Sequence, residues 1–496
     1  ARRSGKADAT FLTECSFGVA HDRLVELMTE VQPYEPHWEQ LSKIDLSKRG
    51  VDSVARLKEF CPVLDEANLN NNHISYLSGL PTSLRRLDVS FNTLTNVSSV
   101  DYLSNLQYLD VSHNQIDSVN ALGCLRHLRE LRLDHNQVQD LRDIMGIDSL
   151  VKLSCKGNAI KMVDFSSAQW KNLECLDLSR NQLSHAEGLE KLSSLTTLNL
   201  DHNRLPECAP SAEMHSLRAL RLSHNRLTTV DLSKFPRLRS LYADSNQIQE
   251  LTHSRKQKSV RLEYLSLRDQ DVYQLSLSHE DLRDVKRLYV SGKHNEKFFP
   301  TRPLYSLVYL EAAACAISDW PASFASRLPN LRILNMNYNF LEDLSGLEGL
   351  QGLRKLMMIG CRLGEERSSS VMRSVRQIGT LEEIDLRMNP LNSNFYLPLM
   401  LNEASPTSII YPADPNSSDM DAQLRPSAVD RWTGMDDKFR QLLPDKWYFK
   451  RLVYRGALKL ACETIEVIDG VQLTSGEMRK AIDLMEDAAI KGKTAL

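Results

Sequence analysis

The chain has 496 residues, 42% of them hydrophobic and 25% charged, the proportions of an ordinary soluble globular protein. A formal net charge of −3 excludes a broadly basic surface, so neither nucleic acid nor a membrane is the expected main partner. No apolar run reaches the roughly 20 residues that a membrane-spanning helix needs. The opening Ala1-Arg2-Arg3-Ser4-Gly5 precedes no apolar stretch and does not read as a signal peptide. Leu24, Leu27, Met28 and Val31 share helical spacing and predict a helix ending before Pro33 and Pro36. Residues 1–40 are therefore expected to form an N-terminal extension with a helical cap.

From Leu41 the chain repeats. Leu84-x-x-Leu87-x-Val89-x-x-Asn92-x-Leu94 is followed by Leu106-x-x-Leu109-x-Val111-x-x-Asn114-x-Ile116 and then by Leu128-x-x-Leu131-x-Leu133-x-x-Asn136-x-Val138. About sixteen units begin at Leu41, Leu64, Leu84, Leu106, Leu128, Leu150, Leu173, Leu195, Leu217, Leu238, Leu262, Val285, Leu307, Leu331, Leu353 and Leu381. Their spacing is mostly 22 or 23 residues and widens to 28 before the last. This periodicity is the signature of a leucine-rich-repeat solenoid, an α/β fold with a parallel concave sheet over residues 41–393. One continuous core then replaces the three or four domains that the length alone implies.

A buried carboxamide donates and accepts at once, so stacked Asn residues can satisfy the backbone where it leaves each strand. Asn72, Asn92, Asn114, Asn136, Asn158, Asn181, Asn203, Asn225 and Asn246 form an unbroken series. It is expected to fail at Gln270 and Lys293, with Cys315 and Cys361 in two later places and Asn339 and Asn389 restoring it in part. The basic run Ser254-Arg255-Lys256-Gln257-Lys258 and the loop Lys293–Phe299 lie beside this fault. Either a local irregularity, or a bend or docking point between two subarrays, would explain it. Secreted repeats of this kind usually carry clustered cysteine caps. The scattered cysteines here read as reduced, buried thiols of an intracellular protein.

After Leu391 the pattern stops. Residues 394–445 are expected to be an inserted, loop-rich segment, and residues 446–496 a mostly helical C-terminal cap opening at Trp447, Tyr448, Phe449, Leu452 and Val453. The unit with Asp-Val-Ser-x-Asn or Asp-Leu-Ser-x-Asn at its heart resembles the intracellular, phosphatase-regulator class of 22-residue repeats. Tyr454-Arg455 with Ile465-Glu466-Val467-Ile468-Asp469-Gly470-Val471-Gln472-Leu473-Thr474 resembles that class's terminal cap. In that class the cap directly follows Asn-Pro-Leu, here Asn389-Pro390-Leu391, whereas this chain inserts about fifty residues between them.

The long array, the displaced cap and the basic Arg451-Leu452-Val453-Tyr454-Arg455 helix together resemble the C-terminal part of a fungal spindle-pole-body scaffold. That scaffold is the centriolin-like component of the septation-initiation or mitotic-exit network. The resemblance implies a non-enzymatic platform on the cytoplasmic side of the spindle pole body, a microtubule-organising centre. It would dock to a structural component there and recruit small-GTPase, GAP and kinase proteins, without a cofactor. The alternative is a phosphatase-regulatory or adaptor protein that grips one catalytic subunit on its concave face.

The third, fifth, seventh and eighth positions of each unit face the concave side. In the first half these are mostly polar, including Arg86, Asp88, Asp110, Glu130, Arg132, Asp134, Arg180, Asp201 and Arg221. In the second half Tyr242, Tyr264, Tyr289, Tyr309, Ile333, Tyr338, Met357, Ile359 and Met388 fall on that face. Equivalent residues of neighbouring strands stand about 4.8 Å apart, so these are expected to form an aromatic and aliphatic strip that holds a protein partner. Coverage of the strip by the chain's own insertion is the competing expectation. His113, His135, His202 and His224 share one position, but only two pairs among them can be neighbours, too few to converge on zinc. No phosphate loop, nucleophile elbow or protease-type Cys–His spacing is present, so catalysis is not expected. Ser368-Ser369-Ser370 and the Ser/Thr-rich stretch Ser405–Ser418 are candidate phosphorylation sites.

Overall fold

The computed structural model describes residues 24–31, 34, 37–95, 100–253, 260–272, 274–292, 299, 301–397 and 428–490. The run 254–258, Lys293 with its loop to 298, and the Ser405–Ser418 stretch lie outside the described residues. The chain divides into two compact units, Ala1–Ala243 with Thr252–Val260, and Asp244–Leu251 with Arg261–Leu496.

The first unit carries ten of the expected strands, from Lys43–Asp45 to Ser240–Tyr242, each covering the third to fifth position of its repeat. Adjacent strands pair in parallel one repeat apart, as Tyr108↔Glu130 and Leu109↔Leu131 illustrate. The four apolar positions turn inward, and Leu106, Leu109, Val111 and Ile116 are all fully buried. An Asp at the fifth position accepts from the amide two residues on, as Asp110 does from Ser112 N at 2.9 Å. That bond explains why Asp and Ser recur together in the motif. The helix over residues 24–31 buries Leu24 and Met28. The convex side carries 3-10 turns such as Asn120–Cys124. It also carries a second parallel pair, Met162–Asp164 with His185–Glu187, which the repeat pattern did not announce.

The Asn ladder follows one rule. Asn114 Nδ2 donates to Val89 O at 3.1 Å and Val111 O at 3.0 Å, while its Oδ1 accepts from Leu94 N at 2.9 Å. Each carboxamide therefore joins its own turn to the one before it.

The second unit holds six further repeat strands, from Tyr264–Ser266 to Glu383–Asp385, paired in parallel and in chain order. The ladder there is less broken than expected. Gln270, 3% exposed, takes over the Asn role, accepting from Ile248 N at 3.0 Å and donating to Arg268 O at 3.0 Å. Cys315 and Cys361 keep only the donor half, with Sγ 3.3 Å from Val290 O and 3.4 Å from Met336 O. None of the eight described cysteines is in a disulfide; most are buried, but Cys124 is exposed, contrary to the expectation of buried thiols throughout.

Val467–Ile468 adds to the sheet beside Glu383–Asp385 and turns back into Val471–Gln472. Asp469 and Gly470 make the turn at φ 55° and 74°, the pair of positive φ angles that Asp-Gly supplies in a two-residue hairpin. Helix α1 (Ser368–Ile378) fills the widened repeat and buries Val371, Val375 and Ile378. Helices α2 (Ala428–Gln441), α3 (Asp445–Ala461) and α4 (Ser475–Ile490) follow. The stretch expected to be loop-rich therefore contains α2. Helix α3 packs on α1 and on α4. A Cβ added at Gly456 would lie 2.6 Å from Ala481 Cβ, so α3 and α4 approach more closely there than a side chain permits. Arg451 and Asp436, 2% and 1% exposed, form a two-bond ion pair that ties α3 to α2.

Candidate protein-binding face

On the concave face of the first unit, charges are matched across neighbouring strands. Lys43 meets Glu66 at 3.0 Å and Arg221 meets Asp201 at 2.8 Å. Burial holds the carboxyls of Asp110 and Asp134 above the usual carboxylate range, against the pull of their Ser hydrogen bonds. The eighth position turns through positive φ, 54° at Phe91, His113 and His135. Its rings stack there, with centroids 4.0 Å apart for Phe91–His113, 4.4 Å for His113–His135 and 4.1 Å for His202–His224. Burial, with His224 next in weight, pushes His202 down to about 4. These histidines lie flat against one another as two separate pairs. Tyr242, the one strip residue in this unit, is half-buried with the Arg221 guanidinium 5.1 Å from its ring centre.

The second unit brings together Tyr264, Tyr289, Tyr309, Ile333, Tyr338 and Met388, all half-buried. The strand register orders the third positions as Tyr264, Arg287, Tyr309, Ile333, Lys355 and Glu383. Tyr289 and Tyr309 rings lie 4.9 Å apart. Arg268 stands 4.4 Å over the Tyr289 ring and donates twice to Glu311, at 2.7 and 3.0 Å. Glu311 is fully buried and also accepts from Ser291 Oγ at 2.7 Å and Tyr309 Oη at 3.3 Å. Burial, then the Glu311 charge, drives the Tyr309 hydroxyl far above its ordinary range. The Tyr338 ring lies over Gly360, where a Cβ would come within 2.7 Å of it.

Two expectations need correction. Met357 and Ile359 are 3% and 0% exposed, so they belong to the packed interior and offer nothing to a partner. The remaining residues are no continuous apolar strip, because Arg287 separates Tyr264 from Tyr309 and Glu311 separates Tyr289 from Asn335 in the register. The face is a patchwork of rings and paired charges, rich in the Tyr and Arg that dominate protein interfaces. The Arg268–Glu311 clamp spans two repeats, 43 residues apart; no motif within one unit signals it. Among the described residues no helix is long and apolar enough to cross a membrane.

The leucine-rich-repeat family pattern matches residues 82–138, 148–205 and 213–235. A leucine-rich-repeat protein of Leptospira interrogans has a similar solved structure, with TM-score 0.54 and 22% identity, covering 71% of this chain and 91% of that one. That likeness concerns the fold alone. The leucine-rich repeat-containing G-protein coupled receptor 5 of Rattus norvegicus is 36% identical over 81 residues, 16% of this chain and 9% of the receptor. The septation initiation network scaffold protein cdc11 of Schizosaccharomyces pombe (strain 972 / ATCC 24843) is 37% identical over 466 residues, 94% of this chain. This chain spans 44% of that scaffold's length. The chain is built of leucine-rich repeats and, over 94% of its length, is similar to the septation initiation network scaffold.

Proposed function

We propose that this chain is the repeat-bearing part of a non-enzymatic scaffold of the septation-initiation or mitotic-exit pathway. It is anchored at the cytoplasmic side of the spindle pole body through a structural component there and recruits GTPase, GAP and kinase proteins. The observation that carries this reading is the 37% identity sustained over 94% of the chain, which reaches well beyond the shared repeat pattern. The contact surface proposed is the concave face of the second unit around Tyr264, Tyr289, Tyr309, Ile333, Tyr338 and Met388. Tyr242 on the first unit is a separate contact point. Half-buried rings lose little side-chain freedom on binding, and neighbouring Arg side chains add directional hydrogen bonds, so such a face gains affinity over a small area.

The test is affinity capture with the intact protein followed by mass spectrometry, comparing wild type with a Tyr264→Ser/Tyr289→Ser variant. Spindle-pole and network proteins should dominate the wild-type capture and fall away in the variant. A phosphatase catalytic subunit as the dominant prey would overturn the scaffold reading in favour of the adaptor one.

A further inference from the structure

The eighth and tenth positions of a repeat flank its ladder Asn, on the edge where the chain turns off the concave sheet. In three successive repeats of the first unit these places hold Arg180, then His202 with Arg204, then His224 with Arg226, all exposed. Asn203 and Asn225 between them turn inward, donating to Leu178 O at 3.0 Å and Leu200 O at 2.9 Å. Lys156, half-buried at the seventh position of the repeat before, extends the row. Arg180, His202 and His224 share one backbone conformation, with φ of 55°, 55° and 57°. The two imidazoles stack with centroids 4.1 Å apart.

Among the described residues no carboxylate pairs with this row: Lys156, Arg180, Arg204 and Arg226 make no ion pair there. Elsewhere on the unit guanidiniums are matched, Arg85 with Asp65 at 2.6 Å, Arg132 with Glu130 at 2.8 Å and Arg221 with Asp201 at 2.8 Å. Asp134 and Asp177 are engaged otherwise, accepting from Ser154 Oγ at 2.5 Å and from Asn199 Nδ2 at 3.0 Å. Two imidazoles register the resulting positive field. Burial first, then a neighbouring imidazole and the charges of Lys156 and Arg180, hold His135 and His202 below the ordinary histidine range.

We propose that this edge binds a phosphorylated serine or threonine in an extended segment of a protein partner. His202, Arg204, His224 and Arg226 make a two-by-two set of N–H donors, with the repeats one strand spacing, about 4.8 Å, apart. A carboxylate is filled by a single guanidinium fork. A phosphate dianion offers three acceptor oxygens and can take bonds from both guanidiniums and an imidazole at once. Arg180 and Lys156 continue the row for about 10 Å, the length of about three extended residues, where acidic side chains of the same segment would meet them. A nucleic acid fits less well, because the uncompensated cations span only four repeats on a chain of net charge −3. The site lies on the first unit and does not depend on the contact proposed for the second.

The test is fluorescence anisotropy of the full chain with labelled heptapeptides that carry serine, glutamate or phosphoserine between two aspartates. The phosphoserine peptide should bind about tenfold more tightly than the other two, as one additional charge-assisted bond supplies. Arg204→Ala/Arg226→Ala should remove that preference with the melting temperature unchanged, since both side chains are exposed. Arg237→Ala takes the same kind of charge from an exposed turn of this unit and should leave the preference intact. Equal binding of the phosphoserine peptide and either control would overturn the proposal, as would tighter binding of a labelled decauridylate than of the phosphoserine peptide. So would an undiminished preference in the double variant, or an equal loss in Arg237→Ala.

Discussion

Replacing Asn136 by alanine tests the ladder where its geometry is clearest. Asn136 is 8% exposed. Its Nδ2 donates to Val111 O at 2.9 Å and Leu133 O at 3.1 Å, and its Oδ1 accepts from Ile116 N at 3.0 Å. The two carbonyls keep a second donor, because Asn114 serves Val111 O at 3.0 Å and Asn158 serves Leu133 O at 2.9 Å. The Ile116 N–H is left with none. One orphaned buried donor costs about 1–3 kcal/mol, and the weakened carbonyl bonds and small void bring the total to about 3 kcal/mol. Asn136→Asp should be worse at neutral pH, since it keeps the acceptor for Ile116 but turns a carboxylate towards Val111 O and Leu133 O. Stability in a repeat array is local, so the assay is hydrogen exchange resolved to the repeats on either side of residue 136. Loss of protection confined to residues near 109–133 in both variants is expected. Wild-type protection in both would refute the assignment of backbone satisfaction to the Asn column.

Three further outcomes follow from the C-terminal end of the second unit and from the ladder. Asp469 is fully buried, accepts from Leu386 N at 2.7 Å, and faces Asp385, Arg387, Arg455, Tyr396 and Tyr454. Burial, then the Asp385 charge, pushes it up to about 6 from an ordinary 3.8. The folded form holds this proton more tightly than the unfolded one, so its contribution is full below about pH 4 and lost as pH rises towards 6. The loss is about 2–3 kcal/mol, and Asp469→Asn should flatten the fall in urea midpoint between those pH values; an unchanged slope counts against it. Removing the Asp436 carboxylate with Asp436→Ala strands a guanidinium that is 2% exposed and should cost about 3–5 kcal/mol. It should release α2 in hydrogen exchange, with Arg451→Leu in the same chain recovering much of the loss. Cys361→Asn gives the ladder back its acceptor and should raise the melting temperature by a few degrees, corresponding to about 1 kcal/mol; a lower melting temperature means the turn there is shaped for sulfur.

Periodicity alone placed every repeat strand, because inward leucines at fixed spacing can be buried together in only one register. The cap segment 465–474 was legible only through its resemblance to the terminal cap of the repeat class; its two-residue turn at Asp469-Gly470, both at positive φ, came from the structure. What escaped notice depends on pairs far apart in sequence. Gln270 is read as a fault in the Asn column, yet one extra methylene still lets its amide reach Ile248 N. Met357 and Ile359 count as exposed by their position, but 3% and 0% exposure places them inside. The serine run at the start of α1 is another case. Ser368 is buried while Ser369 faces solvent, so the three serines are not equivalent targets for a kinase.

The concave face of the second unit is proposed to hold the partner. A photo-crosslinking side chain placed at residue 289, and separately at Tyr102, which is 36% exposed on the first unit, tests it most directly in cells. The probe at 289 should capture a spindle-pole or network protein, and the probe at 102 should capture none of it. Capture of that same protein from residue 102 with silence at 289 would contradict it.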